Sequence, residues 1–383
     1  MAPARSTLAF TDEHALLRDN ARRFFEAECA PHQHAWEEAG IAPRGIWKRA
    51  GELGFLCPRI GEEYGGLGAD FLVSVILAEE QARSGAIAPM FSLHNDVVAP
   101  YIARYGTETQ KRAFLPPMIS GAMIGAVAMT EPSGGSDLKA MRTHARRDGT
   151  DYVINGQKTF ISNGFCANLV VLAAKTDRDS GAKGISLFLV EPDKHTGFRR
   201  GRMLEKLGQK GSDTAELFFD DMRVPESALL GGAEGHGFGQ LMDRLVEERL
   251  FAAIAAIGTI DRAISLTVQY VKDRRAFGQR VLDFQNTRFK LAEAKTEATI
   301  LRVFLERCIG EFMAGELDAS TTAALKYWAT EQQCAIVDDC LQLHGGYGYI
   351  LDYPIARMWT DSRITKIYGG ANEIMKDIIG RTL

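Results

Sequence analysis

Five short clusters of this chain hold residue types that can do chemistry, and a pair of adjacent acids stands apart from them. The first cluster is Met129-Thr130-Glu131-Pro132-Ser133-Gly134-Gly135-Ser136-Asp137, after an apolar run. Two glycines let the backbone turn sharply and expose its N–H groups. The Thr130 and Ser136 hydroxyls add short donors. Such a loop suits a flat heterocycle with carbonyl and ring-nitrogen acceptors, and equally a plain structural turn. The second cluster, Phe160-Ile161-Ser162-Asn163-Gly164, offers an aromatic wall and a hydroxyl, or a strand end closed by a glycine turn. The third is Asp273-Arg274-Arg275-Ala276-Phe277-Gly278-Gln279, with Gln285 beyond it. Arginine beside a helix end suits a pyrophosphate; a solvated charge run is the alternative. The fourth, Gln342-Leu343-His344-Gly345-Gly346-Tyr347-Gly348-Tyr349, reads as a helix end with glycine past it. The fifth is Ile367-Tyr368-Gly369-Gly370-Ala371-Asn372-Glu373-Ile374. Its Gly-Gly turn opens a final helix whose first amides can receive an anion or a carbonyl. Neither a GxGxxG fingerprint nor a P-loop is present.

The acids are Glu247 and Glu248, in a segment ending Glu248-Arg249-Leu250. Ala252, Ala255 and Thr259 share the helical face of Glu248, while Leu250, Ile254 and Ile257 share another. A carboxylate above a stripe of small residues leaves room for a flat ligand. The same pattern fits a close helix crossing with Glu248 paired to Arg244.

The elements that carry these residues follow the order helices, strands, helices. Thr11-Asp12-Glu13 starts a helix that runs to Pro31, and a second covers Phe71 to Arg83. Thr107 and Gln110 have capping-box spacing before a helix that ends at Pro116-Pro117. Met123 to Thr130 reads as a strand. Asp148-Gly149 and Asn155-Gly156 read as hairpin turns on either side of Tyr152-Val153-Ile154. Strand-like runs follow at 169–174, 185–190 and 216–219. No helix separates them, which favours a meander or barrel over a parallel sheet. Helical periodicity returns with Leu250, Ile254 and Ile257 and continues over 284–313, 321–343 and from Asn372.

Composition sets the outer bounds. The 383 residues are 46% hydrophobic and 25% charged, which excludes a disordered or collagen-like chain. The net charge is −4 and no Lys/Arg block stands out, so nucleic acid is not an expected partner. Membrane spans need about 18 apolar residues, and the best candidate, Leu250 to Ile260, is short and broken by Gly258 and Thr259. Met1 to Phe10 lacks a long apolar stretch and holds one arginine, so a cytoplasmic location is expected. The six cysteines form no CxxC pair and are expected to be reduced thiols. His32 and His34 lack a partner set, so no metal site is expected.

Taken together, TEPSGGSD, NGQKTFISNG, KLGQKGSDTAELFFDDMRVP, RRAFGQ, QLHGGYGY and IYGGANEIMKDIIGR resemble the acyl-CoA dehydrogenases, in order and over essentially the whole chain. The resemblance implies an N-terminal helical domain (1–122), a middle β-barrel domain (123–232) and a C-terminal four-helix bundle (233–383). The fold class is thus mainly α with a β-barrel middle. It implies FAD as cofactor, an acyl-CoA substrate, an electron-transfer flavoprotein as oxidant and a homotetramer built as a dimer of dimers. Matching positions put Val127, Met129, Thr130, Gly135 and Ser136 at the flavin ring, flanked by Phe160 and Ser162; many relatives carry Trp in place of Phe160. Arg274, Phe277, Gln285, Gln342, Gly345 and Gly346 match positions that reach a neighbouring subunit's FAD. Ala371, which is Thr in most relatives, and Glu373 match positions near the adenosine-side phosphates. Ser136, Arg249, Gly370 and Arg381 match the substrate side.

Many short- and medium-chain relatives carry the catalytic glutamate directly after the tyrosine of the last motif, where this chain has Gly369. A branch resembling the long-chain and isovaleryl-CoA dehydrogenases places it in a segment ending Glu-Arg-Leu, which Glu248 matches. The resemblance therefore implies Glu248 as base, with the Gly369 N–H polarising the thioester carbonyl. An acyl-CoA oxidase and a non-catalytic flavoprotein or DNA-binding relative are the competing readings; most oxidases are longer, and the DNA-binding relatives carry an added basic region.

Overall fold

The computed structural model describes residues 7–383. Met1 to Ser6, part of the segment read above for a leader, lie outside the described residues.

Six helices come first: α1 Asp12–Phe24, α2 Gln33–Ala39, α3 Arg44–Glu52, α4 Phe71–Ser84, α5 Ala99–Tyr105 and α6 Glu108–Ile119. Thr11 caps α1 and Thr107 caps α6, each with a full capping box. Past Phe24 the first helix turns π-helical from Phe25 to Cys29. Helix α6 does not stop at Pro116-Pro117 but carries both prolines in its last turn to Ile119. There Leu115 and Met118 are fully buried, and that packing outweighs the ladder bonds the prolines cannot donate.

Seven strands follow: β1 Gly125–Ala128, β2 His144–Asp148, β3 Asp151–Ser162, β4 Leu169–Lys175, β5 Ile185–Val190, β6 Phe198–Met203 and β7 Thr214–Pro225. Their order is β1-β4-β2-β3-β7-β6, with β5 on β4. The ends do not meet, so the sheet is an open, curled half-barrel and not the closed barrel expected. One residue pair, His144 with Lys175, joins β2 to β4, and β1 pairs β4 in parallel. Asp148-Gly149 is the expected turn, between β2 and β3. Asn155-Gly156 is not a turn: β3 runs on through it as a bulge, because β7 pairs it on both sides. Asn155 and Asp221 clasp the bulge with two hydrogen bonds of 3.0 and 2.9 Å. A Cβ at Gly156 would stand 2.4 Å from Thr143 Oγ1.

The chain then returns to helix: α7 Gly237–Asp273, α8 Gln285–Ala314, α9 Ala319–His344, α10 Pro354–Ser362 and α11 Asn372–Gly380. A two-strand hairpin, β8 Arg275–Ala276 and β9 Gln279–Arg280, links α7 to α8. Three long helices, α7, α8 and α9, pack together, with α10 and α11 against α9 and α4 against α7. The 37 residues of α7 include an 18-residue stretch apolar enough to cross a membrane, contrary to the sequence reading. Leu250, Ile254, Ile257 and Ile260 in it are fully buried in the core shared with α8 and α9. Apolar burial here accounts for the composition.

Candidate active site

Helix α7 carries Glu247 and Glu248 on different faces, about 100° apart. Glu247 is buried in ion pairs with Arg59 and with Arg244. Arg59 also reaches Asp96 at 3.5 Å. The alternative pairing of Glu248 with Arg244 is therefore not the one formed. Glu248 Oε2 is buried and has no hydrogen-bond partner among the described residues. Burial pushes its carboxyl up, and the charges of Arg249, Arg244 and Lys326 pull it back only in part. The fully buried Tyr101 hydroxyl on α5 also lacks a partner; burial first, then the Glu248 charge, hold its proton on. Along the Glu248 face, Ala255 and Thr259 are only half-buried while the opposite face is closed.

Arg249, the neighbour of Glu248 on α7, reaches the turn Gly369–Gly370, whose φ are +64° and +97°. Arg249 Nε donates to the Gly369 carbonyl at 3.3 Å, and Lys326 Nζ donates to the Gly370 carbonyl at 2.8 Å. A Cβ at Gly369 would meet nothing within 4 Å, whereas one at Gly370 would stand 2.7 Å from Met375 Cε. The turn leads through Ala371 into α11, where Glu373 is exposed in the first turn. Arg381, at the far end of α11, is exposed and pairs with Asp377 at 2.7 Å. No other site residue is brought to it.

The Thr130 loop is fastened to β3. Lys158 Nζ donates to the Met129 carbonyl at 3.0 Å and to Glu131 Oε1 at 2.9 Å. The Thr159 N–H donates to the Thr130 carbonyl at 2.9 Å. Burial pushes the Lys158 ammonium down to about 8 against the pull of Glu131. Burial would raise Glu131, but Lys158 and the amides of Thr143 and Arg142 hold it below its ordinary value. These ties hold Met129 and Thr130 against Lys158 and Thr159, on the strand that carries Phe160 and Ser162. Val127, Met129 and Met242 pack against the buried cluster to which Leu241, at the start of α7, belongs. The Thr130, Ser136 and Ser162 hydroxyls make no hydrogen bond among the described residues. Phe160 is 67% exposed and holds φ +58°, a left-handed conformation a side chain rarely adopts. Free hydroxyls and an exposed ring around one shelf fit a planar heterocycle with polar edges.

A third group sits where α7 and α9 end. Arg274, Gln342, Gly345 and Gly346 line a hollow of about 540 Å³ with Tyr270 and Tyr347. The Arg274 guanidinium stands over the Tyr347 ring at 5.8 Å. Phe277, at the tip of the β8–β9 hairpin, is 95% exposed, and Gln285 opens α8 in solvent. Within one chain no hydrogen bond or ion pair joins this group to the Thr130 loop, among the described residues.

The family descriptions for the N-terminal, middle and C-terminal domains of acyl-CoA dehydrogenase match residues 11–122, 126–222 and 235–383. The chain belongs to the acyl-CoA dehydrogenase family. It is 47% identical over 376 residues to the long-chain specific acyl-CoA dehydrogenase, mitochondrial, of Mus musculus, covering 98% of this chain and 87% of that one. The crystal structure of an acyl-CoA dehydrogenase from Geobacillus kaustophilus superposes with a TM-score of 0.96 at 49% identity, covering 99% of each chain. A glutaryl-CoA dehydrogenase from Mycobacterium smegmatis in complex with FADH2 superposes with a TM-score of 0.91 at 29% identity, covering 97% of this chain and 95% of that one. This acyl-CoA dehydrogenase is thus a flavoprotein oxidoreductase acting on acyl-CoA.

Lys326 and Tyr101 escaped the sequence reading, and no role was read into Lys158 or Asn372. Lys158 and Glu131 each sit inside a quoted motif, as charges in otherwise apolar or small surroundings. Lys326 is a lone lysine among Ala323, Ala324, Leu325 and Trp328 on a core helix, which is the signal that could have found it.

Proposed function

We propose that the enzyme oxidises an acyl-CoA thioester to the trans-2-enoyl-CoA, with FAD as its cofactor and fatty-acid β-oxidation as its setting. The observation that carries this is the buried, unpartnered Glu248 Oε2, beside the Arg249 that holds the Gly369 carbonyl. When bound, FAD would supply the acceptor for the β-hydride.

The chain's residues do the rest. Glu248 takes the α-proton, for which a carboxyl raised by burial is suited. The Gly369 N–H donates to the thioester carbonyl, where negative charge develops as the proton leaves. Val127, Met129, Thr130, Gly135, Ser136, Phe160 and Ser162 hold the flavin ring, with Ser136 also near substrate. Arg249 and Gly370 border the thioester and Arg381 the outer part of the substrate. Arg274, Phe277, Gln285, Gln342, Gly345 and Gly346 hold the FAD of a neighbouring copy in a homotetramer, and Ala371 and Glu373 lie near its phosphates. The six motifs and the placement of Arg274 away from the Thr130 loop support this division. An electron-transfer flavoprotein is the proposed oxidant, and the cytoplasm the proposed location.

Anaerobic titration with straight, branched and aromatic acyl-CoAs tests the reading. Bleaching of the flavin absorbance is expected with at least one class, and no bleaching by any would overturn it. Slow reoxidation by air is expected; fast reoxidation would make the enzyme an oxidase.

A further inference from the structure

Lys326 lies on α9 with its side chain fully buried. Its ammonium donates to two neutral oxygens, the Gly370 carbonyl at 2.8 Å and Asn372 Oδ1 at 2.9 Å. No carboxylate makes an ion pair with it among the described residues. A buried cation without a contact counter-ion is costly. Burial and the nearby Arg249 push the ammonium down to about 8, while Glu331, Glu373 and Glu248 support it from a distance.

What the charge does is visible in its partners. Two consecutive glycines give the loosest backbone a chain can have. Here both of their carbonyls are held, Gly369 by Arg249 from α7 and Gly370 by Lys326 from α9. Asn372 ties the same lysine to the start of α11, and its amide donates to Thr330 Oγ1 at 3.0 Å and to Glu331 Oε1 at 2.9 Å. The turn is thus fixed from three helices. We infer that Lys326 is a positioning residue for the reaction: it pins the Gly369–Gly370 turn so that the Gly369 N–H meets the thioester carbonyl opposite Glu248. The inference rests on the role of Gly369 proposed above.

The test pairs two readouts on the intact flavoprotein: deuterium exchange of segment 367–372 and the limiting rate of anaerobic flavin reduction. Lys326→Met is expected to speed exchange of that segment. It is also expected to lower the limiting rate about 10²-fold, in the range for losing one carbonyl donor, with little change in the acyl-CoA dissociation constant. Lys326→Gln keeps an N–H donor and is expected to regain exchange protection and part of the rate. If Lys326→Met does not fold, unaltered exchange protection together with a lost rate in Lys326→Gln overturns the proposal. So do wild-type exchange and wild-type rate in Lys326→Met. If the wild-type enzyme reduces with no acyl-CoA, the functional reading fails by itself, and exchange alone decides whether Lys326 holds the turn.

Discussion

Glu247 and Glu248 are adjacent on α7, yet Glu247 is locked between Arg59 and Arg244 while Glu248 Oε2 touches no donor. One carboxylate is structural and the other is left available. A fully satisfied carboxylate has little reason to take a proton. A buried, unsatisfied one gains from doing so.

The two glutamates should therefore fail differently. Glu248→Gln keeps the fold and the flavin and lowers the rate of flavin reduction about 10²–10⁴-fold. Glu247→Gln strands part of two buried arginine contacts and costs about 3 kcal/mol of stability. Its folded fraction keeps most of its activity. Rapid-mixing kinetics and thermal melts of both variants check this. The reverse assignment would show as an inactive Glu247→Gln beside an active Glu248→Gln.

Exchanging the base between elements is a stricter trial. The space above Gly369 is open, so a side chain fits there, although φ +64° adds strain of about 1–3 kcal/mol. Glu248→Gly with Gly369→Glu should recover part of the activity that Glu248→Gly loses. A double variant no faster than Glu248→Gly would show that position 369 does not face the same α-proton.

Stability should depend on pH through Glu248. Its folded carboxyl is raised, first by burial, so the native state keeps this proton to higher pH than the unfolded chain does. The stabilisation is complete below the unfolded value of about 4.3 and is lost as pH rises through the folded value. Glu248→Gln never ionises, so its Tm advantage over wild type should grow as pH rises from the unfolded value through the raised folded one. The rate of flavin reduction in the wild type should rise across the same window as the base ionises. A Tm difference independent of pH would contradict the raised carboxyl.

Lys158→Met should release the Thr130 loop. It removes the donor to the Met129 carbonyl and leaves Glu131 with backbone N–H partners alone. Breaking this buried pair should cost about 3–5 kcal/mol and lower flavin content on purification, read from the ratio of visible to ultraviolet absorbance. Full flavin content would show that the loop holds its shape without the lysine.

Arg274→Ala tests the outer group. Loss of the guanidinium over Tyr347 should weaken FAD retention and shift the assembly state seen by sedimentation. Full flavin with an unchanged assembly would separate Arg274 from both.

Local signals predicted local structure well. The helix start at Thr11, the capping box at Thr107 and the Asp148-Gly149 turn all appear where residue chemistry placed them. Asn155-Gly156 misled because a bulge and a hairpin turn ask for the same residues, and only β7 on both flanks decides between them. The parallel β1–β4 pair, the short α10 and the open edge of the sheet depend on partners far along the chain. The site divided the same way. The segment and helix face of Glu248 singled it out as the proposed base, whereas Lys326 acts on a carbonyl 44 residues away and shows in the sequence only as a lone lysine among small and apolar neighbours.

Phe160 has one more consequence. An aromatic residue at φ +58° near the end of β3 is held against its own backbone preference, and glycine would relieve that strain. Selection for heat resistance alone would drive position 160 towards glycine. Selection for the proposed flavin contact would drive it back, so on that reading durability and activity pull position 160 in opposite directions.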